Sequence, residues 1–176
     1  MNETMKTLLE RRSTRSYKKE QITDEELNQI LEAGLFAPSG RGKQAATCVV
    51  IQDKETIRKI SHMNAVAWDK PDIDPFFDAP TLIVVFADTT VHTYVEDGSA
   101  CITNMLNAAH SLGVGSCWVH RARPVFDTEE GREMKKQWGL GDEYVGVDNV
   151  VLGYPEGPHK DRRPRRDGRI IFADRK

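Results

Sequence analysis

Cysteine is scarce in this chain, with three in 176 residues, an odd number at spacings that make neither a disulfide framework nor a zinc site. A reducing compartment is therefore expected. No run approaches the roughly 18 consecutive apolar residues that a membrane-spanning helix needs. Residues 1–12 alternate apolar with charged side chains and lack the unbroken apolar stretch of a secretory signal. No membrane partner is expected, and the cytoplasm is the expected location. A surplus of positive charge is missing too: 25 lysines and arginines stand against 27 aspartates and glutamates, a formal net charge of −2. That total gives no support to bulk attraction for nucleic acid. Low-complexity stretches and polar linkers are absent, so one domain over residues 1–176 is expected, long enough to bury a sizeable core.

What is present is an ordinary globular composition, 39% hydrophobic and 30% charged, too apolar for intrinsic disorder. Met5, Leu8 and Leu9 at helical spacing predict a short opening helix that runs into Arg11-Arg12-Ser13-Thr14-Arg15-Ser16-Tyr17. Thr23 followed by Glu26 is a capping box, with Ile22 against Leu27 as a hydrophobic staple. Leu27, Ile30, Leu31 and Leu35 continue that helix until Pro38-Ser39-Gly40-Arg41-Gly42 imposes a loop.

The β-branched runs Thr47 to Gln52 and Thr81 to Ala87 predict strands, the second apolar enough to be covered on both faces. Between them, His62 to Pro80 carries three prolines and reads as irregular. Its Trp68, Phe76 and Phe77 either cover a ligand or anchor the loop. Ile102, Met105, Leu106, Ala109 and Leu112 predict a helix from about Ser99 to Leu112, ended by Gly113. Gly115 to Val119 and Val145 to Leu152 read as strands, and Asp127 to Trp138 as a helix capped by Asp127. The tail after Gly157 is basic, and Ile170 to Phe172 is expected to be able to form a last strand. Helices and strands do not alternate strictly, which favours α+β with a central sheet over a doubly wound fold.

Two arginine clusters stand out: Arg11, Arg12 and Arg15 near the start, and Arg162, Arg163, Arg165 and Arg166 near the end. Guanidinium forks suit phosphate, so converging clusters would make a phosphate site, whereas separate ones would be solvated surface. No aromatic residue is interleaved with the second cluster to stack bases, and no nucleic-acid partner is expected. The five histidines lack the i, i+4 pairing of metal ligands, and no metal site is expected. Cys117 reads as small core filling.

The segment Arg11-Arg12-Ser13-Thr14-Arg15-Ser16-Tyr17 resembles the Arg-Arg-Ser-x-Arg-x-Tyr opening of the FMN-dependent nitroreductase family. Ala37-Pro38-Ser39-Gly40-Arg41-Gly42-Lys43-Gln44 is similar to that family's Ala-Pro-Ser-x-x-Asn-x-Gln loop, with Gly42 in place of the asparagine and Ala45-Ala46 where Pro-Trp is common. Ala79 to Val85, Gly113 to Trp118, Val151 to Pro155 and Arg163-Pro164-Arg165 match further family segments in order.

The resemblance implies a nitroreductase-like central mixed sheet flanked by helices, in an intertwined homodimer with FMN at the subunit interface. It implies NADH or NADPH as reductant, and ping-pong hydride transfer through flavin N5 to a nitroaromatic, quinone or similar small-molecule acceptor. No catalytic side chain is implied, because the flavin carries the chemistry. The cofactor-binding residues it implies are Arg11, Arg12, Ser13, Arg15, Arg163 and Arg165 toward the phosphate and ribityl side. Pro38, Ser39, Gly40, Gly42 and Gln44 come from the partner, and Ser116, Cys117 and Trp118 line the ring. Reductive dehalogenation, flavin fragmentation and flavin binding without turnover are the alternative readings.

Overall fold

The computed structural model describes residues 1–159 and 161–174. Residues 160, 175 and 176 of the expected 1–176 domain lie outside the described residues. The elements are α1 (Glu3–Glu10), α2 (Asp24–Leu35), a 3₁₀ turn (Gly40–Gly42), β1 (Ala46–Ile51), α3 (Lys54–Val66), β2 (Thr81–Asp88), α4 (Tyr94–Ser111), β3 (Gly115–Val119), α5 (Ala122–Phe126), α6 (Glu129–Gln137) and β4 (Tyr144–Gly153).

The strands lie in the order β1-β2-β4-β3, and every pairing among them is antiparallel. β2 and β3 run the same way, joined through α4, with β4 inserted between them. The parallel component expected of a mixed sheet is confined to one bridge, Ser13 with Ser116. The physical reason is that β4 fills the place where β2 and β3 would have paired side by side.

β2 shows why the sheet is covered twice. Leu82, Val84 and Phe86 point into one core with α3, α5 and α6, while Ile83 and Val85 point into another with α2 and α4. This is the period-2 alternation of a strand buried on both faces. The α+β reading holds, as helices flank an antiparallel sheet.

The capping box forms as expected: Glu26 N donates to Thr23 Oγ1 at 3.2 Å and Thr23 N to Glu26 Oε2 at 2.9 Å. Ile22 and Leu27 are buried in one cluster. Tyr154 Oη donates to Glu26 Oε2 at 2.7 Å, tying the start of α2 to the end of β4. That bond, followed by the one from the Thr23 backbone, holds the Glu26 carboxyl below its ordinary value. Thr23→Ala is expected to cost about 1 kcal/mol by urea denaturation at neutral pH. A lowered carboxylate contributes in full above its unfolded value and loses its contribution as pH falls through the folded one. The deficit of Tyr154→Phe, which removes the first of these bonds, should accordingly shrink in acid.

Three expectations are corrected. His62 to Val66 is not irregular; it is the end of α3, whose cap is Asp53, accepting from Thr56 N at 2.8 Å. The buried face of α3 combines Ile57 and Ile60 with Ser61 and Asn64, so its apolar period is interrupted by polar residues. The cap of α6 is Thr128, not Asp127, because Asp127 ends the short α5 by donating its N–H to Arg123 O at 3.0 Å. Ile170 to Phe172 is exposed and forms no strand.

Candidate functional site

The two arginine clusters, about 150 positions apart in sequence, meet. Residues 11–16 and, among the described residues that follow β4, residues 155–159, 161–163 and 165 wall one cavity of about 950 Å³. The N-terminal wall is laid along the sheet by local bonds. The Arg11 N–H caps α1 on Thr7 O at 3.1 Å, and Thr14 N donates to Ser116 O at 2.9 Å. The Tyr17 hydroxyl, donating to Thr14 O at 2.8 Å, closes the segment onto itself. The C-terminal wall is attached where the Lys18 N–H meets Tyr154 O and the Glu156 N–H meets Ser16 O, each at 2.9 Å. Thr14 Oγ1 and His159 Nε2, 2.8 Å apart, add a side-chain link.

Among the described residues lining the cavity, six are arginines and two, Glu156 and Asp161, are carboxylates. The excess of positive charge calls for an anion. Arg11 is the sharpest indicator: its Nη1 is buried and has no hydrogen-bond partner among the described residues. Burial pushes the Arg11 guanidinium below its usual value, yet arginine remains charged near neutral pH. A buried, charged, unsatisfied donor is costly unless a ligand completes it.

The expected site residues fall into three groups. Arg11, Arg12, Ser13, Arg15, Arg163 and Arg165 all line the cavity. Arg12 is already engaged, with Nη1 donating to Leu9 O at 3.1 Å and Arg11 O at 2.7 Å. Arg162 also donates to Leu9 O, at 3.1 Å, so both side chains cover the open carbonyl end of α1.

Ser116 and Cys117 lie beside the first cluster on β3. Ser116 pairs with Ser13, and burial pushes the Cys117 thiol up against the opposing influence of Arg15, Ser13 and Arg11. A buried thiol held in its protonated form is a poor nucleophile, in keeping with core filling. Trp118 turns to the other side of β3, donating its indole N–H to Asp148 Oδ2 at 2.6 Å.

Pro38, Ser39, Gly40, Gly42 and Gln44 form the third group and do not line this cavity. Their loop is fixed to α4, with Gly40 N donating to Asp97 Oδ1 at 2.9 Å, and to itself, with Gln44 N donating to Ser39 Oγ at 3.1 Å. A side chain at position 40 would collide with Thr93. Gly42 has φ +66, the left-handed region that glycine and asparagine enter most readily. The exchange of one for the other at position 42 therefore preserves the loop's backbone.

Sequence reasoning passed over Thr14, Ser16 and His159 on the cavity wall, and Asp148 and His120 beyond Trp118. Thr14 and Ser16 sit inside the motif and were readable from it. The other three are brought in by long-range pairing, which leaves no local mark. The aromatic segment divides: Phe76 is fully buried core, Phe77 lies 5.9 Å from the Arg15 guanidinium, and Trp68 carries Lys70 and Arg121 at 4.4 and 4.5 Å from its ring. No cluster of metal-ligating side chains is found among the described residues, and no described helix is long and apolar enough to cross a membrane.

Fold and cavity together define a protein with helices on both faces of an antiparallel sheet and an arginine-rich cavity between residues 11–16 and the segment that follows β4. The nitroreductase family model matches residues 8–154, and the chain belongs to that family. It is 34% identical over 162 residues to an Archaeoglobus fulgidus protein provisionally designated an NADH dehydrogenase/NAD(P)H nitroreductase, covering 89% of this chain and 87% of the relative. The structure superposes with a TM-score of 0.90 on a Bacteroides fragilis nitroreductase with bound FMN, at 28% identity over 99% of this chain and 100% of the other. A Desulfitobacterium hafniense nitroreductase with bound FMN gives 0.87 at 27% identity over the same shares.

Proposed function

We propose that this chain is an NAD(P)H-dependent flavin oxidoreductase that holds FMN by its phosphate in the arginine cavity. The observation that carries the reading is the convergence of both arginine clusters on Arg11, whose buried Nη1 lacks a partner. A phosphate monoester brings about −1.5 to −2 charge and three acceptor oxygens, which suits this donor set. Arg11, Ser13 and Arg15 from one wall and Arg163 and Arg165 from the other hold the phosphate. Arg12, anchored on the α1 carbonyls, adds its charge at the rim toward the ribityl chain. The strand β3 from Ser116 to Trp118 flanks the ring, with the Trp118 side chain turned to the strand's other side.

Held by these residues, FMN would supply the hydride chemistry between NADH or NADPH and a second substrate, a nitroaromatic, a quinone or a similar acceptor, used in alternation. The chain's own part is to neutralise the phosphate, orient the ring and exclude water from it.

Pro38, Ser39, Gly40, Gly42 and Gln44 serve a second copy of the chain, in a homodimer. Their absence from the cavity of their own chain supports this. So does apolar surface in need of cover: α1 buries none of its residues, and Phe36 and Ile171 are 81% and 87% exposed. Residues 1–176 act as one domain, and the three free cysteines fit the cytoplasm.

Anaerobic mixing tests the reading. The purified chain, loaded with FMN, is expected to lose its oxidised flavin absorbance on addition of NADH or NADPH and to regain it with a quinone. Persistence of the oxidised spectrum with both reductants overturns the proposal.

A further inference from the structure

Beyond Trp118 the chain leaves β3 through Val119, His120 and Arg121, and this turn is braced from several directions. Asn149 Nδ2 donates to Val119 O at 3.2 Å and Asn64 Nδ2 to His120 O at 2.8 Å. Asp148, 5% exposed, accepts from Trp118 Nε1 at 2.6 Å, from Arg121 N at 2.9 Å and from His120 Nδ1 at 3.0 Å. Arg121 stands at φ +88, a conformation that a residue bearing a Cβ keeps only where its surroundings impose it. The product of this bracing is a histidine whose side chain is 75% exposed. Packing does not require the imidazole, which stands largely in the open.

A buried carboxylate bonded to Nδ1 fixes the ring. The neutral imidazole keeps its proton on Nδ1 and directs the Nε2 lone pair outward, and the protonated ring directs Nε2–H outward. His120 lies two residues past Trp118, about 7 Å along an extended strand. We propose that His120, positioned by Asp148, donates the proton that the electron acceptor needs as it is reduced. This rests on the reading that Ser116 to Trp118 flank the flavin ring.

For a quinone the balance is closed. The acceptor gains two electrons and one hydrogen as a hydride from the reduced cofactor. The Nε2–H bond of protonated His120 breaks, its electron pair stays on nitrogen, and a new O–H bond forms on the quinone oxygen. The product is the hydroquinone, and solvent returns a proton to the exposed ring. Proton transfer by a positioned side chain is worth about 10² to 10⁴ in rate.

Two measurements decide the proposal. In His120→Gln loaded with FMN and reduced by NAD(P)H, reoxidation by tetramethylbenzoquinone is expected to slow about 10²-fold. Reoxidation by ferricyanide, which takes an electron and no proton, is expected to stay within twofold. Equal slowing with both acceptors, or none with the quinone, overturns the proposal while leaving the flavin reading in place. Failure of the parent chain to take up FMN overturns that reading and the proposal with it. Independently of cofactor, ¹H–¹⁵N correlation spectra of the apoprotein should show neutral His120 as the Nδ1–H tautomer. The Nε2–H tautomer would show that Asp148 does not orient the ring.

Discussion

Replacing Arg11 by alanine is expected to yield a chain that folds as well as the parent but binds FMN about ten- to a hundred-fold more weakly. The two effects have one origin. Without ligand, Arg11 Nη1 is buried and unpartnered, and an unsatisfied polar group costs the fold about 1 to 3 kcal/mol. Truncation removes that cost together with the donor, so the melting temperature of the flavin-free protein should hold or rise. With ligand, at least one charge-assisted hydrogen bond worth about 1.5 to 3 kcal/mol is lost, and 1.4 kcal/mol is tenfold in affinity. Fluorescence titration with FMN and a thermal melt of stripped protein measure both sides. Undiminished affinity would place the phosphate elsewhere. Arg11→Lys should fall between the two, because an ammonium keeps the charge and loses the planar fork.

The largest effect on stability is expected at Phe86. Its ring is fully buried on β2, edge-on to Phe126 with centroids 4.9 Å apart and to Trp138 at 6.2 Å. Phe126 belongs to α5 and Trp138 caps α6, so one side chain joins the sheet to both helices. Phe86→Ala should cost about 3 to 5 kcal/mol, from lost transfer energy and the cavity left behind. Urea denaturation gives the magnitude, and loss of near-ultraviolet circular dichroism from the ring cluster gives the cause. A cost under about 1 kcal/mol would mean that the three rings do not pack as one unit.

What the sequence disclosed and what it withheld divide by range. The capping box at Thr23 and Glu26 is a three-residue device whose bonds are made within one turn, and it formed where expected. β2 was legible because its six consecutive apolar residues, Leu82 to Ala87, are all fully inside, so no polar position blurs that run. α3 escaped because its buried face uses Ser61 and Asn64, one donating to Asp74 at 2.5 Å and the other holding His120 O. Those polar residues are held by partners that only the fold supplies, although Asn64 Oδ1 itself stays buried with no partner among the described residues. At the cavity, the arginine motifs marked both walls, but nothing in either marked the distance between them. That Asp148 anchors Trp118, His120 and Arg121 depends on the β3–β4 register, with Val119 opposite Asn149. No local pattern encodes that register.

A pocket walled by residues 11–16 on one side and residues 155–159, 161–163 and 165 on the other also sets an order of events during synthesis. The N-terminal wall leaves the ribosome first, and elongation at about 5 to 20 residues per second delays the opposite wall by about 7 to 30 seconds. Throughout that interval the nascent chain displays three unneutralised arginines and half a binding site. In the proposed cavity, coenzyme capture would thereby wait for Arg163 and Arg165, making flavin uptake follow the folding of the sheet rather than seed it.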